Sequence, residues 1–437
     1  MICIGLDIGS TTIKGALLDL ARREVRSVVK EPFPQPLGGL PPGHFEVEPN
    51  AVVAIVERVL ARLCEAAEPE AIFCSGQMGG VILVDESGAA LTNYLSWRDQ
   101  RTLSAPEPAG TTLDAIRARW RGSELVDLGS ELQAGSASSL LFWLAQHDRL
   151  PRGATPATPA DFVIGRLCHA VPQMDPTQAI GLVDLNSGTW HGQAFDALGL
   201  GHVRWPQLAV ARYPVGHWST GGRSIACHAS LGDQQTALRG VGLGREEISL
   251  NISTGSQVSR RTARFEPGPY QTRPYFDGEF LNTITHLPAG RSLNVLVDLL
   301  TEPARAEGLT LTDPWQYIAR SAADADGGGL TIDLAFFAGP LGTCGRLEGI
   351  TTENLTVGNL FHAAFRNMAD NYVRMADRVC PERAGMGLAL SGGLTRSAPI
   401  LRQLIEDRFA MPVRESATAE ETMLGLLEIA REVYCGR

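Results

Sequence analysis

The sequence predicts an α/β fold made of two similarly built domains. Strand-like and helix-like segments alternate along the whole chain. A hairpin with a polar, small-residue tip occurs at the start and again near mid-chain. The length, 437 residues, exceeds what one hydrophobic core normally organises, so two or three domains are expected.

The first hairpin is "MICIGLDIGSTTIKGALLDL". Ile2, Ile4, Leu6 and Ile8 alternate, the chain turns at Gly9-Ser10-Thr11, and the pattern resumes with Ile13, Ala16 and Leu17. "NAVVAIVERVLARLCEAA" lines Val52, Val53, Ile55, Val56, Val59, Leu60 and Leu63 along one stripe, predicting a helix over 50–67. "AIFCSGQMGGVILVDESGAAL" reads as strand, glycine-rich turn and strand. "SSLLFWLAQHDRL" is helical and stops before Pro151. Pro151–Pro159, rich in proline, alanine and threonine, reads as a loop, and Trp205–Gly222 as irregular.

A domain boundary is expected near residue 228, giving domains 1–228 and 229–437. "ISLNISTGSQVSRRTARF" is again strand, Ser-Thr-Gly-Ser tip and strand. An amphipathic helix is expected over Val357–Val379. "GMGLALSGGLTRSAPILRQLIEDRF" is a buried strand, a Gly392-Gly393 turn and a helix, and "AEETMLGLLEIAREVYCG" is a last helix.

Bulk composition excludes several classes. Hydrophobic residues make up 44% and charged residues 20% of the chain, as in ordinary globular proteins. No apolar run reaches the ~18–20 residues that span a bilayer, so no membrane partner is expected. The net charge of -10 disfavours nucleic acid. The chain opens in strand-like sequence, so neither a signal peptide nor a leading DNA-binding segment is expected. The eight cysteines are scattered without CxxC spacing, which argues against a disulfide framework or zinc site and for a reducing, cytoplasmic setting. No histidine pair has helical metal-ligand spacing. Lys14 and Lys30 are the only lysines.

Three glycine-containing turns could grip a nucleotide. In "DIGSTTIKG", Gly9 lets a phosphate approach the backbone, Ser10, Thr11 and Thr12 offer hydroxyls, and Lys14 offers a charge. Asp7 beside them suits Mg²⁺ held through water. "NISTGS" is a second hydroxyl-and-glycine tip, and "LALSGGLTRS" has the strand–glycine–helix geometry of a nucleotide seat. Neither a P-loop nor a dinucleotide-binding glycine pattern is present. In "SLGDQQTALRG", Asp233 follows a glycine and precedes a short helix, so on the residues alone both a helix cap and a catalytic base stay open.

Taken together and in this order, the motifs resemble the actin-like (ribonuclease H-like) ATPase superfamily and, within it, the FGGY carbohydrate kinases. "DIGSTTIKG" is similar to that family's first phosphate loop, "STGS" to the second, and "SGGLTRS" to its adenosine motif. "SGQMGGVILVDESGAALTNYLSWRDQRT" resembles its sugar-side segment and "GDQQTALRG" its catalytic segment. The resemblance implies two actin-like domains flanking a catalytic cleft, with ATP and Mg²⁺ as cofactors and a small-molecule sugar as partner, in a monomer or homodimer. It implies Asp233 as the base, with Asp7 near the metal and the transferred phosphoryl group. Ser10, Thr11, Thr12, Lys14, Thr254, Gly255, Ser256, Gly392, Gly393 and Ser397 would contact ATP. Gln77, Met78, Trp97, Asp99 and Gln234 would face the sugar.

Arg101 reads as a structural partner of Asp99. Asp175, in "MDPTQAIGLVDLNSGTW", reads equally as a turn residue or as a group near the acceptor. Gly79 stands where xylulokinase-like members commonly carry histidine. Several stretches, "LTIDLAFFAGPLG" among them, look more like the branch acting on sedoheptulose. The acceptor expected is therefore sedoheptulose, with xylulose or another pentulose or polyol as the alternative. The non-enzymatic rival is an actin-like ATP-binding sugar sensor.

Overall fold

The structure, a computed structural model, describes residues 1–104, 110–416 and 420–436. Its first sheet grows from the N-terminal hairpin. Strands β1 (Ile2–Ile8), β2 (Thr12–Asp19) and β3 (Glu24–Pro32) form an antiparallel meander. Helix α1 (Pro49–Ala66) then returns the chain to β4 (Ala71–Gly76), parallel to β1. Helix α2 (Pro159–Cys168) precedes a hairpin of β5 (Pro214–Thr220) and β6 (Arg223–His228), and β6 runs parallel to β4. A two-residue strand, β7 (Leu231–Gly232), also pairs with β4. The order is β5-β6-β4-β1-β2-β3, with β7 on β4.

After helix α3 (Asp233–Val241) the same plan repeats. Strands β8 (Glu247–Ile252), β9 (Ser256–Thr262), β10 (Gln271–Pro274) and β11 (Phe280–Leu287) are antiparallel neighbours. Helices α4 (Gly290–Ala306) and α5 (Val357–Val379) lead to β12 (Gly387–Ser391), parallel to β8, and then to β13 (Val413–Glu415), parallel to β12. The order is β10-β11-β9-β8-β12-β13. The chain closes with α6 (Glu421–Cys435).

The helices form where the apolar stripe predicts. Glu48 caps α1 by accepting the N–H of Asn50 at 2.9 Å, and Val52, Val56, Val59, Leu60 and Leu63 are buried against the first sheet. Thr356 caps α5, whose Phe361, Phe365, Met368 and Tyr372 fill the second core.

Two expectations are corrected. Trp205–Gly222 is not wholly irregular, because Pro214–Thr220 is a strand; it lies at the sheet edge with no residue fully buried, so no apolar alternation marks it. The 151–159 loop holds a short strand, Thr155–Ala157, which pairs with Ile82–Val84. Past residue 228 pairing in the first sheet continues through Gly232, and α6 returns there, packing Met423, Leu426 and Leu427 with Cys3, Leu18 and Phe73. All eight cysteines are free thiols. Among the described residues no helix is long and apolar enough to cross a membrane.

Candidate active site

The strand ends that carry the predicted motifs converge on a cleft between the two sheets. Asp7 lies on β1, in register with Lys14 on β2 and with Ser75 on β4. Burial first, and then the nearby charge of Asp233, push the Asp7 carboxyl up to about 7; Lys14 works against this shift. The two aspartates therefore share one site, although they come from different motifs. The Lys14 ammonium meets Glu420 at 3.2 Å, and Glu420 is also held by Lys30 at 2.6 Å.

Asp233 is the first residue of α3, and the cap position is taken by Gly232. Its Oδ1 accepts the N–H of Gln234 at 2.8 Å. Burial pushes its carboxyl up to about 6, against the lowering by that N–H and by Arg273. Desolvation thus outweighs the helix N-terminus. The Asp233 loop is pinned from several sides. Ser230 donates to the buried Asp161 at 2.6 Å. The Gly232 N–H donates to Thr177 Oγ1 at 3.0 Å, and Thr177 in turn donates to Asp175 at 2.7 Å. Gln178 bridges the ends of β4 and β7 through the carbonyls of Gly76 and Leu231, at 3.2 and 2.8 Å. Asp175 is thereby a turn residue that holds the Asp233 loop through Thr177. Neither Asp161 nor Gln178 carries a sequence signal that marks this role.

On the acceptor side, Gln77 Oε1 accepts from Trp97 Nε1 at 3.1 Å and from the Tyr94 hydroxyl at 3.3 Å. Its Nε2 is buried with no hydrogen-bond partner among the described residues, an uncompensated donor that a ligand oxygen would satisfy. Trp97 is 37% exposed. Met78 lies against Gly232, its sulfur 2.6 Å from where a Cβ would stand. Gly79 has φ +76°, a conformation a histidine would adopt only under strain.

Two expected sugar residues are otherwise engaged. Asp99 is fully buried, accepting from the Phe45 N–H at 2.6 Å and from Arg101 at 2.8 and 2.9 Å, so Arg101 is its structural partner. Gln234 gives its amide to Ser259 and Thr283, both at 3.1 Å, and accepts from Arg273. Arg273 is also paired with the buried Glu131, from a loop 142 residues earlier in the chain. Losing one partner of such a buried pair costs about 3–5 kcal/mol. A separate cavity of about 460 Å³ lies against Glu46, Asn93 and Arg149 and holds none of the expected catalytic groups.

On the nucleotide side, the Gly9-Ser10-Thr11 tip closes through the Gly9 N–H and the Thr12 carbonyl at 3.1 Å. The second tip exposes Ser253, Thr254 and Gly255. Ser256, expected at ATP, is instead buried with its hydroxyl on Tyr372 at 2.7 Å. Gly392 has φ +96°, and a Cβ there would stand 2.1 Å from the Ile252 carbonyl oxygen. Gly393 faces open space, while Ser397 bonds back to the Leu394 carbonyl at 3.1 Å.

Residues 2–238 match the FGGY family of carbohydrate kinases, N-terminal domain. The chain belongs to the FGGY family of carbohydrate kinases. It is 22% identical to the mouse (Mus musculus) sedoheptulokinase over 470 residues, covering 94% of each chain. Its fold is similar to those of a gluconate kinase and a xylulose kinase from Lactobacillus acidophilus. Both superpose with a TM-score of 0.85 over 100% of this chain and 90% of theirs, at 18% and 19% identity. The FGGY fold, two actin-like domains, accounts for the repeated sheet plan. An FGGY kinase uses ATP.

The site also suits a magnesium ion. The buried Ser75 hydroxyl beside Asp7 has no hydrogen-bond partner among the described residues. The same residues contain no cluster of three or more His, Cys, Asp or Glu. One carboxylate with waters and nucleotide oxygens, rather than an all-protein cage, is the usual mode for Mg²⁺.

Proposed function

We propose that this FGGY kinase transfers the γ-phosphoryl group of ATP to a terminal hydroxyl of a ketose, with sedoheptulose preferred and sedoheptulose 7-phosphate formed. The reading rests on one observation above the others. The Asp233 charge acts on both Asp7 and Tyr94, and Tyr94 bonds Gln77, whose Nε2 is partnerless and whose Oε1 holds the half-open Trp97 ring. The full-length similarity to a sedoheptulokinase supports the heptulose. Similarity to a Bacillus subtilis (strain 168) xylulose kinase, over 49% of this chain, keeps a pentulose as the second reading.

Asp233 orients the acceptor hydroxyl and takes its proton as the oxygen–phosphorus bond forms and the bond to the β-phosphate oxygen breaks, releasing ADP. Gln77, Met78 and Trp97 hold the sugar. Ser10, Thr11, Thr12 and Lys14 face the phosphates from the first domain, and Thr254 and Gly255 face them from the second. Gly392 and Gly393 let adenosine approach the β12 end. Mg²⁺ bound beside Asp7 would neutralise phosphate charge. Asp99, through Arg101, and Gln234, through Arg273, position these groups without touching substrate.

The test is ADP release with Mg²⁺ and a panel of five-, six- and seven-carbon ketoses. ADP production that rises only on adding a ketose, most with sedoheptulose, is expected. A panel that leaves ADP production unchanged refutes the reading.

A further inference from the structure

Strand β11 is buried along almost its whole length, and His286 is its one exposed residue. It sits in a β-bulge: Thr285 and His286 together stand opposite the single residue Gln257 of β9. His286 also has φ +60°, in the left-handed region that non-glycine residues avoid. Bulges re-aim side chains and gather beside active sites, and strained backbone does the same. Here the side chain is aimed at Trp97 of the other domain, ring centroid to ring centroid 6.5 Å.

The hydrogen bonds behind His286 decide which ring nitrogen carries the proton. Gln271 Nε2 donates to Glu131 at 3.3 Å, so Gln271 Oε1 faces Thr285 and accepts its hydroxyl proton at 3.1 Å. With that proton committed, the Thr285 oxygen 2.8 Å from His286 Nδ1 can only accept. Nδ1 therefore holds the proton, and Nε2 presents a lone pair with no hydrogen-bond partner among the described residues. His286 is open toward the cleft but enclosed on its other sides. That enclosure, with the Arg273 and Arg291 charges, holds the imidazole below the ordinary histidine range and hence neutral.

We infer that His286 is an acceptor-binding residue supplied by the second domain, its Nε2 accepting a hydrogen bond from a ketose hydroxyl other than the one phosphorylated. It rests on the ketose reading above and adds a wall to that site. Gln77 Nε2 is a donor without a partner on one side, and His286 Nε2 is an acceptor without one on the other, with the Trp97 ring between them. A hydroxyl-rich chain can satisfy both at once, because each hydroxyl donates and accepts.

The experiment compares wild type with His286→Ala, His286→Gln and Thr285→Val across the ketose panel, reading KM for sugar, KM for ATP and kcat, with calorimetric titration of each sugar. His286→Ala is expected to raise the sugar KM about tenfold, the worth of one hydrogen bond to a ligand hydroxyl, with kcat and the ATP KM within about twofold. His286→Gln, whose amide oxygen reaches the place of Nε2, recovers part of the loss. Thr285→Val frees the tautomer and weakens sugar binding by a smaller factor with the imidazole still present. If wild type turns over ketoses and His286→Ala leaves every sugar KM within twofold, the role of His286 is overturned and the kinase reading stands. The role is also overturned if the sugar KM, ATP KM and kcat all fail together with a lowered melting temperature and Thr285→Val has no effect. A wild type that neither binds nor turns over any ketose overturns both.

Discussion

The two hairpin tips are the same device with different chemistry. In the first sheet, Asp7 is in register with Lys14 on the antiparallel neighbour and with Ser75 on the parallel one. In the second, Asn251 is in register with Gln257 and Ser391. An ion-forming pair has become an amide pair, and a Ser-Gly step closes the parallel strand in both (Ser75-Gly76, Ser391-Gly392). The consequence is visible in the hydroxyls. Asn251 donates to Ser391 at 2.9 Å. Asp7 makes no such bond, and the Ser75 hydroxyl is left without a partner among the described residues. One sheet plan thus leaves an unpartnered hydroxyl beside an acid in the first half and a satisfied amide–hydroxyl pair in the second.

Substitutions can break this contrast, and the largest effect is expected at the base. Asp233→Ala should lower kcat by a factor on the order of 10²–10⁴ with ATP binding retained, read by the ADP assay and calorimetry. Near-native turnover would remove Asp233 from its role. Asp7→Asn gives the first tip the amide of the second and should cost on the order of 10² in kcat. It should also raise the melting temperature at pH 8. The sign follows from a folded value near 7 above a reference of 3.8: ionising Asp7 costs stability progressively as pH rises between those values, and the amide removes that cost.

Next in size is the glycine step. Gly392→Ala should destabilise by about 2 kcal/mol or more, since its Cβ meets the Ile252 carbonyl. Gly393→Ala, facing open space, should stay within about 0.5 kcal/mol while raising the KM for ATP. Denaturant melts separate the two. The smallest effect is on pH. Asp233 must be ionised to act, so turnover falls as pH drops through about 6, by about fourfold at pH 5.5. Asp7→Asn should leave that limb in place, because Asp7, held at about 7, already carries its proton there.

Much of this was legible in the chain. Local pattern defined both hairpins, the helix now observed as Pro49–Ala66, and the Val357–Val379 helix with the same bounds, because apolar periodicity and turn chemistry act over a few residues. The edge strand Pro214–Thr220 was hidden because none of its residues is fully buried and its hydrogen bonds come from a distant partner. The motifs also singled out Asp7, Asp233 and Gln77 as candidates, because residue type and order are what a motif carries.

Motif matching could not tell which members of a motif are already spent. Asp99 and Arg101 satisfy each other, Gln234 is committed to Arg273, and Ser256 to Tyr372. Each of these partnerships requires distances between segments far apart in sequence, except the first, whose burial alone was invisible.

By itself, then, the sequence determined the α/β class, the doubled hairpin plan and the positions of the acids Asp7 and Asp233 beside their turns, all properties of short segments. Only the tertiary structure decided that Asp233 titrates near 6, since burial sets that value. It alone brought the closing helix back to the first sheet, through an apolar face with no other core to enter. And only the fold turned His286 outward, because a bulge exists only relative to the strand it pairs with.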